Sequence, residues 1–242
     1  MGRVRAGKAA ACAVLSVVTL LLAHPVQAAP NDMEGVWRLS RPQSLLVPGG
    51  GGLPPFTKEG RARFEANRKA AARGDFRFDA VRSSCASPGQ PRLMLSSRPF
   101  ALFVRPRVVT LVYAWNHTFR QITVGEPLPN PASGPHWWVF GSAQGHATAR
   151  WDGDTLVVKT DSFTDGRLLD AFTPTSDKLT LTERLRLRSP KVLEDRITVS
   201  DPGIFTRRWD AVLTYARATD AKLPFAEDVC LDRLKAGQPA WP

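Results

Sequence analysis

Two acidic residues stand out because each interrupts an otherwise apolar face of a predicted strand. Odd-numbered positions of 178–188 are leucines except for Glu183, and odd-numbered positions of 192–200 are apolar except for Asp195. Since successive side chains of a strand point to opposite faces, a tight hairpin puts both acids on one face, opposite or diagonal to each other. Two carboxyls placed that closely raise the pKa of one of them, an arrangement suited to general acid–base chemistry.

The following run, 205–217, supplies a cation to the same predicted face. Arg207 is the single charged residue at the odd-numbered positions from 205 to 215. An unpaired charge is costly to bury, so an inward Arg207 is expected to pair with Glu183 or Asp195. Two interpretations stay open: a structural ion-pair network inside a barrel, and an acid–base pair in a cavity.

Aromatic residues and a histidine complete the candidate site. Trp209 and Tyr215 share the face of Arg207, and with Tyr113 and the three charged residues they are candidates to bind a ligand in an apolar cavity. His146 is a third candidate catalytic residue, beside the two acids.

The sequence predicts neither a metal site nor a cofactor. His117, His136 and His146 are too dispersed to show the spacing of metal ligands. The chain also lacks the Gly-x-Ser-x-Gly turn that presents a nucleophilic serine in many hydrolases.

The elements that must position these residues are mostly short strands. From residue 100 onward, β-branched and aromatic runs alternate with turns, and Asp152-Gly153 between two such runs is a strong hairpin signal. We predict a mainly β fold, an antiparallel meander closed into a lipocalin-like barrel, over 100–242. Residues 29–99 are expected to pack on it with a strand, a Gly/Pro loop, an irregular segment and a helix capped by Thr57. A short C-terminal helix is expected near 226–235.

The first 28 residues predict a cleavable signal peptide. Arg3, Arg5 and Lys8 precede an apolar run at 9–23, and Val26 and Ala28 supply small or short residues before the expected cut. The run is too short for a membrane-spanning helix, so we expect no stable membrane anchor and a periplasmic or secreted protein.

Export changes how the cysteines and the charge are interpreted. Cleavage removes Cys12 and leaves Cys85 and Cys230, a pair expected to form a disulfide in an oxidising compartment. The formal net charge of the whole chain is +11, but its arginines are scattered. Together with export, this argues against nucleic acid as a partner.

Most of the mature chain resembles a family of secreted bacterial proteins from which no function can be carried over. The resemblance rests on Gly145-His146, on the run from Trp151 through Gly153-Asp154-Thr155-Leu156-Val157-Val158, and on the Cys85 and Cys230 segments. It marks His146, Asp154, Glu183 and Arg184 as typical positions without assigning roles. Gly35-x-Trp37 is similar to the lipocalin opening motif, which again implies a barrel.

The sequence also differs from that family at three positions. Leu128, Thr175 and Thr180 stand where that family commonly has histidine. If those histidines carry chemistry, this chain has lost or altered it, and if they only line a cavity, this cavity is less polar.

Three functions remain open at this point. The favoured one is binding of a small apolar or amphipathic, largely apolar molecule by a monomer or small homo-oligomer. The second is a cofactor-independent lyase, isomerase or hydrolase acting in the same cavity. The third is an envelope interaction protein without a cavity, which a completely filled barrel would favour.

Overall fold

A computed structural model describes residues 1–2, 30–125, 142–219 and 228–241. The expected signal peptide therefore lies almost wholly outside the described residues, as do Leu128 and His136. Within the described ranges, no helix has the length and apolar character needed to cross a membrane.

Nine strands form one closed barrel in sequence order. Each strand pairs with its neighbours along the chain, and β1 closes the ring by pairing with both β2 and β9. The strands are β1 (Gly35–Leu39), β2 (Phe100–Arg105), β3 (Val108–Tyr113), β4 (Phe119–Val124), β5 (His146–Asp152), β6 (Thr155–Asp161), β7 (Thr180–Ser189), β8 (Val192–Ser200) and β9 (Trp209–Arg217). The predicted mainly β barrel is confirmed, and it includes β1 from the 29–99 segment.

One pairing departs from the predicted antiparallel meander. β4 and β5 run parallel, and their ladder joins Thr123 with Thr148 and Val124 with Ala149. The other strand pairs are antiparallel. A hairpin turn cannot join parallel neighbours, and a long connection separates these two strands in the chain.

Local sequence explains the β5–β6 and β7–β8 hairpins. Gly153 has a φ of 62°, the left-handed conformation that the predicted Asp152-Gly153 turn requires. In β7 the buried positions alternate with more exposed ones, and Leu181, Glu183 and Leu185 face inward. The interior of the barrel therefore contains the leucine face that predicted the strand.

Within the described residues, three α-helices lie outside the strand ladders. They are α1 (Lys58–Ala72), α2 (Ala80–Ser84) and α3 (Cys230–Lys235). Thr57 caps α1 as predicted, because its hydroxyl accepts a hydrogen bond from the Gly60 amide at 3.0 Å. Helix α2 was not expected in a segment predicted to be irregular, and it begins where the Asp79 carboxylate accepts from the amide of Val81.

The predicted disulfide joins two of these helices. Cys85 at the end of α2 is bonded to Cys230 at the start of α3, across a sequence separation of 145 residues. A bridge closing so long a loop stabilises the fold by about 4 kcal/mol through the unfolded chain.

Candidate functional site

Glu183 lies in the barrel interior and is paired with a residue that the sequence did not single out. Its side chain is fully buried. The two carboxylate oxygens accept hydrogen bonds from the two terminal nitrogens of Arg120 on β4, at 2.9 and 2.5 Å. Such a bidentate arrangement is the strongest hydrogen-bonding geometry available to an arginine and a carboxylate.

Arg120 is held by a third contact as well. Its Nη2 donates to the Thr160 hydroxyl on β6 at 2.8 Å. Burial alone would lower the pKa of the guanidinium, but the charge and hydrogen bonds of Glu183 outweigh it and raise the pKa above its ordinary value. Arg120 therefore keeps its positive charge in the barrel interior.

Asp195 is the second interior acid, and it has no such partner. Its side chain is fully buried, and neither carboxyl oxygen has a hydrogen-bond partner among the described residues. Burial, followed by the charge of Glu183, raises its pKa well above the ordinary value, although Arg120 acts in the other direction. Burial thus favours the protonated form of Asp195.

The strand register sets the distance between the acids. Glu183 lies opposite Ile197, and Asp195 lies opposite Leu185, so the two acids occupy diagonal positions of the β7–β8 ladder. The structure therefore brings Glu183 and Asp195 together on the inward face, where strand alternation predicted them.

Two buried tyrosines connect this cluster to one segment of the irregular region. Tyr113 donates to the Met94 sulfur at 3.3 Å, and Tyr215 donates to the Met94 carbonyl at 3.2 Å. Burial is the main cause that raises the pKa of both phenols. Gln90 completes the group, since its side-chain amide donates to the Tyr113 oxygen at 2.9 Å.

Arg207 does not enter the interior, and the expectation that it pairs with the acids is wrong. It is exposed, and β9 begins only at Trp209, after the turn that contains Arg207. The alternation of a strand cannot be extended into a turn. Trp209 itself is buried, and its indole N–H lacks an acceptor in the part of the chain that the structure describes.

Arg120 was missed although the sequence contained a signal. In β4 the buried positions are Arg120, Ile122 and Val124, and the alternating ones are more exposed. In the run 119–124, Ile122 and Val124 alternate with Gln121 and Thr123, and this alternation places Arg120 on the inward face.

A cavity of about 340 Å³ lies between β4 and β5, in front of their short parallel ladder. We call it the β4–β5 cleft. It contains His146 but neither Glu183 nor Asp195, so the three catalytic candidates do not share one cavity wall. The described residues that line it are Phe119, Arg120, Gln121, Thr123, Ser142, Gln144, Gly145, His146, Ala147 and Ser162.

Three side-chain polar atoms behind the cleft wall have no partner among the described residues. The Gln90 side-chain amide donates to the side-chain oxygen of Gln144 at 3.0 Å, which links the cleft to Tyr113. The unpartnered atoms are the side-chain nitrogen of Gln144, the side-chain oxygen of Gln90 and the Nε of Arg120. Buried polar groups are usually satisfied, so these covered atoms are exceptions within the wall and are not exposed in the cleft.

The motif that carries the family resemblance forms the β5–β6 hairpin, whose Leu156 and Val158 lie in the core and whose Asp152 is exposed. The Thr155 hydroxyl donates to the Asp154 carboxylate at 3.1 Å, next to Gly153. Arg184 donates to Asp152 at 2.9 Å, and both side chains are more than two-fifths exposed. None of these residues lines the β4–β5 cleft, and neither do Thr175 and Thr180.

The described ranges contain no group of three or more histidine, cysteine or acidic residues able to hold a metal ion.

Comparison with known proteins identifies no family for this chain. No protein-family description and no curated protein sequence matches the chain. Among solved structures, the chain is similar to a point mutant of the fluorescent protein UnaG, with 13% identity and a TM-score of 0.37. That similarity covers 79% of this chain and 100% of the other. The barrel assignment itself rests on the strand pairing described above.

Proposed function

We propose that this protein is an exported carrier or receptor that binds a small amphipathic molecule in the β4–β5 cleft. The observation that carries the proposal is a cavity of about 340 Å³ whose described lining combines apolar side chains with an arginine, two glutamines and a histidine. Small-molecule sites have this combination of a concave surface and a few convergent polar groups.

The lining indicates which part of the ligand faces which wall. Phe119 and Ala147 provide apolar surface, whereas Gln121 and Thr123 carry polar groups that can donate hydrogen bonds. The polar end of the ligand is a hydrogen-bond acceptor directed at these donors. We therefore infer an amphipathic molecule rather than a purely apolar one.

Export belongs to the proposal too. It is supported by the signal-like residues 1–28 and by the Cys85–Cys230 disulfide, since such bridges persist mainly outside the reducing cytoplasm.

A second candidate is a cofactor-independent enzyme that uses Asp195 and Glu183. It is supported by the Asp195 carboxyl, whose pKa burial raises, at a diagonal position to the Glu183 carboxyl that is paired with Arg120. The lining of the cleft, as far as the described residues go, includes neither of them, which favours binding over catalysis.

Filling the cleft tests the binding proposal. Gln121 is exposed on β4 and lines the cleft, so Gln121→Trp should occupy it. We expect binding of the amphipathic dye 1-anilinonaphthalene-8-sulfonate, followed by fluorescence titration of the mature protein, to weaken at least about tenfold. Thr182→Trp adds the same side chain to a half-buried position of β7 outside the cleft and is the control. Equal affinity in the two variants would contradict the proposal.

A further inference from the structure

A second cavity, of about 420 Å³, shares no lining residue with the β4–β5 cleft. It is formed by the loop after β1, helix α2, the 3₁₀ segment Arg92–Leu95 and the C-terminal residues. Its walls include two arginines, Arg82 and Arg92, and we call it the two-arginine cavity. Nothing in the proposed function uses it.

Arg92 is a buried cation with one unused donor. Its side chain is 3% exposed, and its two terminal nitrogens donate to the Asp79 carboxylate at 2.8 and 2.6 Å. Its Nε has no partner among the described residues. That nitrogen is covered by neighbouring atoms, so Arg92 contributes to the cavity wall as a buried ion pair with Asp79 and not as an exposed donor.

Arg82 contributes a charge that no described acid neutralises. It is exposed on α2, and its guanidinium lies 3.8 Å from the ring centroid of Phe76. Within the described ranges its side chain forms no ion pair. Asp79 compensates Arg92 only, so the cavity walls keep a net positive charge.

The remaining walls suit an apolar body. Trp241 lies under Arg92, with 5.2 Å between the guanidinium carbon and a ring centroid, and Leu95 and Ala171 also line the cavity. Because guanidinium groups stack on flat π systems, this arrangement favours a planar ring beside the arginines.

We propose that the two-arginine cavity is a second small-molecule site, specific for an aromatic carboxylate. The carboxylate pairs with the exposed guanidinium of Arg82, while the ring lies against Trp241 and Leu95. This site is independent of the β4–β5 cleft, and either can fail without the other.

Calorimetric titration of the mature protein with 2-naphthoate tests the proposal. We expect saturable binding that Arg82→Gln weakens about tenfold, since one charge-assisted contact is lost. Arg63→Gln removes an exposed charge on α1 outside the cavity and should bind as the wild type does. The neutral 2-naphthalenemethanol should bind far more weakly than 2-naphthoate.

The proposal is overturned if 2-naphthoate does not bind, if Arg82→Gln binds it as the wild type does, or if the neutral analogue binds equally well. Gln121→Trp separates the two sites, because it should leave 2-naphthoate binding unchanged. Loss of 2-naphthoate binding in that variant would place the anion in the β4–β5 cleft and contradict a second site.

Discussion

At the scale of single residues, Arg120 combines burial, a positive charge and contact with the cleft. It carries its charge in the barrel interior and is 3% exposed, yet it also borders the β4–β5 cleft. Glu183 compensates that charge, so removing either residue leaves the other buried without its ion-pair partner. A buried ion pair of this kind fixes geometry more than it adds net stability.

Removing Arg120 alone should leave Glu183 buried without compensation. We expect Arg120→Met to lower the free energy of unfolding by about 3–5 kcal/mol, measured by urea denaturation. The double variant Arg120→Met with Glu183→Leu should recover most of that loss. Arg184→Met breaks the exposed pair with Asp152 and should cost less than about 1 kcal/mol. A double variant no more stable than the single one would refute the compensation argument.

Asp195 should make stability depend on pH in an unusual direction. Its folded-state pKa is raised, so the native protein holds a proton that the unfolded chain releases above about pH 4. Stability therefore falls as the pH rises from about 4 towards the folded-state pKa, by up to about 1.4 kcal/mol per pH unit. Asp195→Asn should lack this component when unfolding is measured between pH 4 and 8.

The control for this pH effect is the exposed Asp177. Asp177→Asn should retain the wild-type pH profile. A profile of Asp195→Asn that runs parallel to the wild type would show that the buried carboxyl does not titrate differently in the two states.

At the scale of elements, strand alternation explains which site residues were predictable. It placed Glu183 and Asp195 correctly because β7 and β8 extend well beyond them on both sides. It failed for Arg207 because nothing in the sequence marks Trp209 as the first residue of β9. Helix α2 was missed because five residues contain too little periodicity, although Asp79 is a typical cap.

Helix α1 touches the loop before β9 at Gly60, and this contact is testable. A Cβ at Gly60 would collide with the Ile204 carbonyl oxygen. Alanine normally stabilises a helix relative to glycine. Here we expect Gly60→Ala to lower the free energy of unfolding by about 1–3 kcal/mol, measured by thermal denaturation. Arg63→Ala, at an exposed position of the same helix, should change it by less than about 0.5 kcal/mol. Increased stability of Gly60→Ala would contradict the close packing.

At the scale of the whole molecule, the C-terminal segment is attached to the barrel by several contacts. The Cys85–Cys230 bond is one of them. The Trp115 indole donates to the Ala240 carbonyl at 2.8 Å, and its ring lies 5.6 Å from that of Trp241. The even cysteine pair predicted the bond, whereas these tryptophan contacts depend on chain reversals that no local pattern specifies.

Removing the bond should weaken the whole fold. We expect the double variant Cys85→Ala, Cys230→Ala to lose about 2–5 kcal/mol in denaturant unfolding. Under reducing conditions the wild type should lose a similar amount, while the variant should be unaffected by the reductant. An unchanged unfolding midpoint in the variant would show that the bond does not constrain the unfolded chain.

The odd number of strands has a consequence for where this barrel can open. Around a closed ring, strand directions can alternate without exception only if the strand number is even. A closed ring of nine strands must therefore contain at least one parallel pair. In the described barrel this pair is β4 and β5. That seam is joined by a short ladder, and the cleft lies directly beside it. A topological necessity of ring closure thus coincides with the cleft in which we propose that the ligand binds.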